Sequence, residues 1–266
     1  AIIALLISSI CFMDFMPKWA WRIPFIMGAC FGLIGFYLRN QIEESPVFKG
    51  LKTSPSQKLP LVEAFTYQRR NLLCAIGIGA AALAPFYVSS VYIISLTSKL
   101  QTPLSHSQVM FVNAGVMLIW TLLLPTVGYF SDKIGLGRMM NYGAMMLSIV
   151  AIPVFWFLNQ DTSLMKIIIA QLVLSFCGAF FVGPCPAFLS TQLFPASDRY
   201  SGVSLGVSLG EAIFGGTAPL IAMWLVMITG DKMTPSFYLI FCALIGLIAV
   251  NAYKPILNTT QPKKAS

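Results

Sequence analysis

Eight stretches of this 266-residue chain are almost wholly apolar, at about 1–13, 19–38, 71–96, 108–128, 141–158, 166–189, 200–228 and 235–253. A hydrocarbon core about 30 Å thick is crossed by roughly 20 helical residues at about 1.5 Å each, so every run but the first is long enough to span. Hydrophobic residues make up 57% of the chain and charged ones only 10%. Together with a mean hydropathy of +0.79, this makes the chain an integral membrane protein, all-α, a polytopic helical bundle. The first run, AIIALLISSICFM, would reach only about 20 Å as a helix and has no basic leader of the signal-peptide kind. It reads as the end of a span, with a short anchor as the alternative.

The net charge of +8 is distributed by loop. Arg39, Lys49, Lys52, Lys58, Arg69, Arg70, Lys133, Arg138, Arg199, Lys254, Lys263 and Lys264 fall on one set of connections; Lys18, Arg22, Lys99, Lys166 and Lys232 fall on the alternate set. The positive-inside rule puts the richer set in the cytoplasm, together with the C-terminus. The bases form no aromatic-interleaved patch, which excludes nucleic acid as a partner. All six cysteines lie inside apolar runs, with no C-x-x-C pair and none beside the lone His106. They read as small packing residues, and neither a metal site nor a cofactor is expected.

The longest polar interval, 39–70, is rich in Ser, Pro and Lys and reads as a cytoplasmic central loop, in which PLVEAFTYQ has the pattern of a short surface helix. It divides the chain into 1–38, the end of one unit with a partial fifth and a sixth helix; 71–253, a six-helix unit; and 254–266, a cytoplasmic tail. Such a division fits a transporter built of two six-helix halves, of which this chain holds the second, with a substrate site near the midplane between them. A truncated or independent bundle that partners another chain without transporting is the competing reading.

Three stretches carry a resemblance to a known family. WRIPFIMGACFGLIGFYLRNQIEESPVF, with Arg22, Pro24, Glu43, Glu44 and Pro46, resembles the sixth helix and central-loop start of the metabolite:proton symporters of the major facilitator superfamily. QLFPASDRYSG, with Pro195 and Arg199, is similar to the signature before their eleventh helix, and FGGTAPL looks like its continuation. That group includes proline/betaine, α-ketoglutarate, citrate and shikimate transporters. The resemblance implies symport of a small organic solute with a proton by alternating access, in the inner membrane, with a six-helix N-terminal half as the missing partner.

GYFSDKIGLGRMM is similar to the superfamily's charged loop motif at Gly128, Ser131, Asp132, Lys133 and Gly135. Leu136 and Gly137 intervene before Arg138, and Met139 and Met140 replace further bases. The stretch is read as a cytoplasmic turn in which Asp132 caps a helix or pairs with a base. It is either a topology marker or, as the resemblance implies, a latch between halves.

The most informative run is SGVSLGVSLGEAIFGG, 201–216. At about 100° per residue, Ser201, Ser204, Ser208 and Glu211 share one arc, and Gly202, Gly206 and Gly210 lie opposite. The glycines suit close helix approach. Glu211 lies about 16 Å in from Tyr200, where a charged carboxylate costs about 3 kcal/mol. It is either a proton- or cation-binding group facing a central cavity, or a hydrogen-bonded packing residue. Tyr87 and Tyr92, around Ser89 and Ser90, with Asn113, Gln171 and Ser175, are the other candidates for a solute site. No base lies deep in any span, so a zwitterion able to use Glu211 and an aromatic face is favoured over a dicarboxylate. GVSLG occurs twice and matches G-x-S-x-G, but that elbow needs a strand-to-helix turn, so the chain is not read as an enzyme.

Overall fold

The computed structural model describes residues 19, 22–41, 68–99, 106–160, 163–195 and 199–254; among them the regular elements are helical, with no strand. The short first run, the surface-helix pattern within the central loop, and Glu43, Glu44 and Pro46 lie outside the described residues. The helices are α1 (Ile23–Gln41), α2 (Arg69–Leu96), α3 (His106–Ile134), α4 (Leu136–Gln160), α5 (Leu164–Leu193), α6 (Arg199–Thr229) and α7 (Thr234–Ala252). Six of them, α2 to α7, are long and apolar enough to cross a membrane.

Small residues decide the packing. α2 occupies the centre, against α6 on one side, α7 on another and α5 on a third. The glycine face of α6 meets α2 directly: a Cβ at Gly206 would strike the Ala75 side chain, and one at Gly210 would strike the Ile76 carbonyl and, at 3.0 Å, the Cα of Gly79. On the other side of α2, a Cβ at Gly77 would stand 3.0 Å from Ala249 and Ile245 of α7. Without side chains in the way the backbones come close enough for dispersion contacts along whole helical turns, the main cohesive force between helices in lipid.

Around this centre, α4 packs on α5 and α7, and α3 packs on α5. α2 is the most buried span, α6 and α3 the least. On α1, Phe25, Ile26, Phe31, Leu33, Ile34, Phe36, Tyr37 and Leu38 are all exposed. Cys74, Cys177, Cys185 and Cys242 are buried free thiols within the bundle.

One polar stitch closes the Arg69 end of α2. The Asn71 amide donates to the Leu193 carbonyl at 2.6 Å and the Lys254 carbonyl at 3.1 Å, while its oxygen accepts from Lys254 N at 2.9 Å. Beside it, Arg70 Nε donates to the Ala252 carbonyl at 2.5 Å. One side chain thereby ties the ends of α2, α5 and α7.

Three helices contain π turns, at Val88–Tyr92 in α2, Leu189–Leu193 in α5 and Glu211–Gly216 in α6. The apolar pattern reads α2 and α6 as plain helices, because an extra residue per turn leaves no mark on hydropathy. Such turns rotate the side chains that follow and loosen the i to i−4 ladder, and they collect at functional sites. In α2 the cause is local: Pro85 has no N–H to give, and the hydroxyls of Ser89 and Ser90 both donate to the Phe86 carbonyl, at 3.1 and 2.6 Å.

The charged stretch after Gly128 is not a loop. α3 continues through Asp132 and Lys133 to Ile134, a single residue turns the chain, and α4 opens at Leu136. Gly135 makes this possible at φ 108°, a conformation glycine adopts without a Cβ clash. His106, expected in a loop, opens α3.

Candidate functional site

Glu211 is half-buried and stands at the first position of the π turn of α6. Its Oε1 accepts a hydrogen bond of 3.3 Å from the hydroxyl of Tyr87, the residue just before the π turn of α2. Gly215 seats the tyrosine, since a Cβ there would stand 3.2 Å from its ring. The α6 π turn is braced from behind by Tyr238 of α7, whose hydroxyl donates to the Phe214 carbonyl at 2.5 Å. This bond is long for a hydroxyl donor, and it links the Glu211 carboxyl of α6 to α2.

Ser204 and Ser208 are exposed on the face of α6 opposite its buried glycines. Both GVSLG serines therefore lie on a continuous helix, with no strand-to-helix turn.

The remaining candidates gather elsewhere. Gln171 of α5 is fully buried, and its Nε2 donates to the Ser89 carbonyl at 2.9 Å and to Asn113 Oδ1 at 3.4 Å, joining α5, α2 and α3. Gln171 Oε1 and the hydroxyl of Ser175, one turn on, are buried without a hydrogen-bond partner among the described residues. Tyr92 belongs to neither group: it is buried, its ring lies 6.2 Å from Phe155, and it lines an apolar cavity of about 420 Å³ with Leu220, Met223 and Trp224.

Aromatic contacts connect the two polar groups. The Phe86 ring lies 5.5 Å from Tyr87 and 5.3 Å from Trp120 of α3. Phe86 and Trp120 are absent from the sequence reading, although Trp120 lies seven residues after Asn113, two turns along one helix face, a spacing that could have flagged it.

At the α3–α4 corner, Ser131 is buried and donates to the Gly128 carbonyl at 2.6 Å. Lys133 Nζ sits 4.4 Å from the centre of the Tyr129 ring. Asp132 lies in the last turn of α3 rather than capping α4, and among the described residues neither it nor Arg138 forms an ion pair. Arg138 instead lines a polar cavity of about 360 Å³ with Asn141, Gln192, Asn251 and Tyr253. Of the signature residues, Arg22 is exposed just before α1, Pro24 lies in its first turn, Pro195 follows α5 and Arg199 opens α6, with its Nε buried and unpartnered among the described residues.

Residues 1–211 match the family described as Major Facilitator Superfamily. The chain belongs to that superfamily. It is 30% identical over 274 residues to a proline/betaine transporter of Salmonella typhimurium, covering 96% of this chain and 52% of that protein. To the glycine betaine/proline/ectoine/pipecolic acid transporter OusA of Dickeya dadantii it is 29% identical, covering 97% of this chain and 54% of the relative. To an ectoine/proline transporter of Corynebacterium glutamicum it is 28% identical, over 92% and 51%. The chain thus spans about half the length of the curated relatives it matches. No solved structure matches. These relatives place the chain with the metabolite:proton symporters of the superfamily, as Trp21 to Phe48 implies, and they are transporters rather than enzymes.

Proposed function

We propose that this major facilitator chain is the C-terminal part of a symporter that moves a small zwitterionic solute of the proline or betaine kind together with a proton. It works by alternating access against an N-terminal six-helix half, in the inner membrane, with its C-terminus in the cytoplasm and 39–70 as the central loop. The observation that carries this reading is Tyr87 held 3.3 Å from Glu211, a carboxyl group placed deep within a span. A carboxylate so placed either carries a proton or faces a cation, and a solute ammonium supplies the cation. Burying a charge without such an exchange is costly, so keeping one on α6 needs a use. The exposed faces of α6 and α3 supply surface for the other half to cover, and the printed names of the relatives supply the solute class.

Asp132 and Arg138 belong to the same proposal as parts of a cytoplasmic latch, each exposed and able to meet the opposite half.

The test is uptake of proline, glycine betaine, ectoine and α-ketoglutarate by the intact transporter at two pH values, with and without sodium. Glu211→Gln is expected to abolish accumulation driven by a proton gradient; unchanged uptake and pH dependence would remove Glu211 from the mechanism. Sodium-dependent uptake in the parent would replace the proton. Proteoliposomes holding this chain alone are expected to show no flux.

A further inference from the structure

We propose that the cavity between α3 and α5 is a second solute subsite, with Ser175 as its polar anchor and Trp120 as its wall, for a neutral or zwitterionic molecule with a compact apolar body. The inference rests on the transport reading above and adds a place that the Glu211 pair does not provide.

The cavity measures about 310 Å³ and is lined by Val116, Trp120, Leu123, Leu172, Ser175 and Phe176 among others. Ser175 is only 8% exposed, and its hydroxyl has no hydrogen-bond partner among the described residues. A buried hydroxyl left unsatisfied costs about 1–3 kcal/mol, so an orphan on a cavity wall calls for an occupant that bonds to it. One turn back on the same helix, Gln171 is fully buried with its Oε1 also unpaired, while its other arm holds Ser89 and Asn113. The polar side of this region is therefore tied to three helices, and it is incompletely satisfied.

The lining selects the ligand. It holds no charged group, so a molecule with net charge would lose its hydration with nothing in return. A serine hydroxyl can donate to a carboxylate or carbonyl oxygen, and the Trp120 face can accept the apolar shell of a methylated or ring ammonium. The Phe86 ring packs on both Trp120 and Tyr87, so one aromatic contact links the wall of this cavity to the Glu211 pair.

The experiment uses the intact transporter in proteoliposomes. Ser175→Cys is labelled with a small thiol reagent, with the parent protein's labelling subtracted, in the presence and absence of proline or glycine betaine. We expect either solute to slow labelling severalfold, and to do so also when Glu211→Gln is added, because the two subsites are distinct. Trp120→Ala is expected to raise KM about tenfold with little change in maximal rate, and Trp120→Phe, which keeps a smaller aromatic face, to raise it less. Solute titration should change the tryptophan fluorescence of the parent, and the change should be smaller in Trp120→Phe, the remainder coming from the other tryptophans. In a protein with normal uptake, labelling that no solute slows, or a fluorescence response undiminished in Trp120→Phe, would overturn the subsite and leave the cavity to water or an acyl chain. Protection that vanishes with Glu211→Gln would overturn its independence. If the parent transports none of the solutes, it is the transport reading that fails.

Discussion

The hydroxyl of Tyr87 donates to Oε1 of Glu211 across 3.3 Å, joining α2 and α6 where each turns from α to π winding. Removing that hydroxyl alone, by Tyr87→Phe, keeps the ring seated on Gly215 and deletes only this one long hydrogen bond. The expected result is slower solute uptake with an altered pH profile and an unchanged thermal midpoint. A profile identical to the parent's would detach Tyr87 from the site.

Gly210 lies against the Ile76 carbonyl, and an added methyl would have to part α6 from α2. Gly210→Ala should destabilise the bundle by about 1–3 kcal/mol, the usual cost of overpacking. Detergent melting curves measure this, and Ala212→Ser, an exposed change two residues along and off that contact, is the control expected to leave the midpoint in place.

Asn71 satisfies three backbone groups at once, from α5 and from the residues after α7. Asn71→Ala leaves buried groups unpaired, for an expected loss of about 1–3 kcal/mol. Asn71→Asp should be no better, since it sets an acceptor against the Leu193 and Lys254 carbonyls. Limited proteolysis at the ends of α5 and α7 should accelerate in both; unchanged cleavage and melting in Asn71→Ala would show that the stitch adds nothing.

At the α3–α4 corner, Gly135→Ala must hold a φ of 108° with a Cβ present. About 1–2 kcal/mol of strain is expected, seen as a lowered melting temperature. Asp132→Asn, on exposed surface, should leave the melting temperature alone and change transport rate or cytoplasmic accessibility, and a variant altering neither would end the latch proposal.

The six spans of the bundle were legible because hydropathy over roughly 20 residues is a sum, and sums tolerate local irregularity. Boundaries suffered where charge misled. Asp132 and Lys133 look like a loop, yet α3 carries them to its last turn because an exposed helix end keeps charges in water or at the interface. The glycine face of α6 was readable from spacing, and it packs on Ala75, Ile76 and Gly79. Tyr87 and Tyr92 look equivalent in sequence, but the π turn between them sends one to Glu211 and the other into the core beside Phe155.

Sequence by itself determined that this is a helical membrane protein of the major facilitator kind, the face on which α6 is smooth, and that one acid lies deep inside it. The family follows from the motifs that resemble it, and the rest from composition and from a fixed rotation per residue, which are local and add along the chain. Only the tertiary structure decided which side chain reaches Glu211, that Gln171 ties three helices, and that Ser175 is left unsatisfied beside Trp120. These depend on where separate helices touch and on one extra residue in a π turn, and neither the contact nor the extra residue is written in any single helix's pattern.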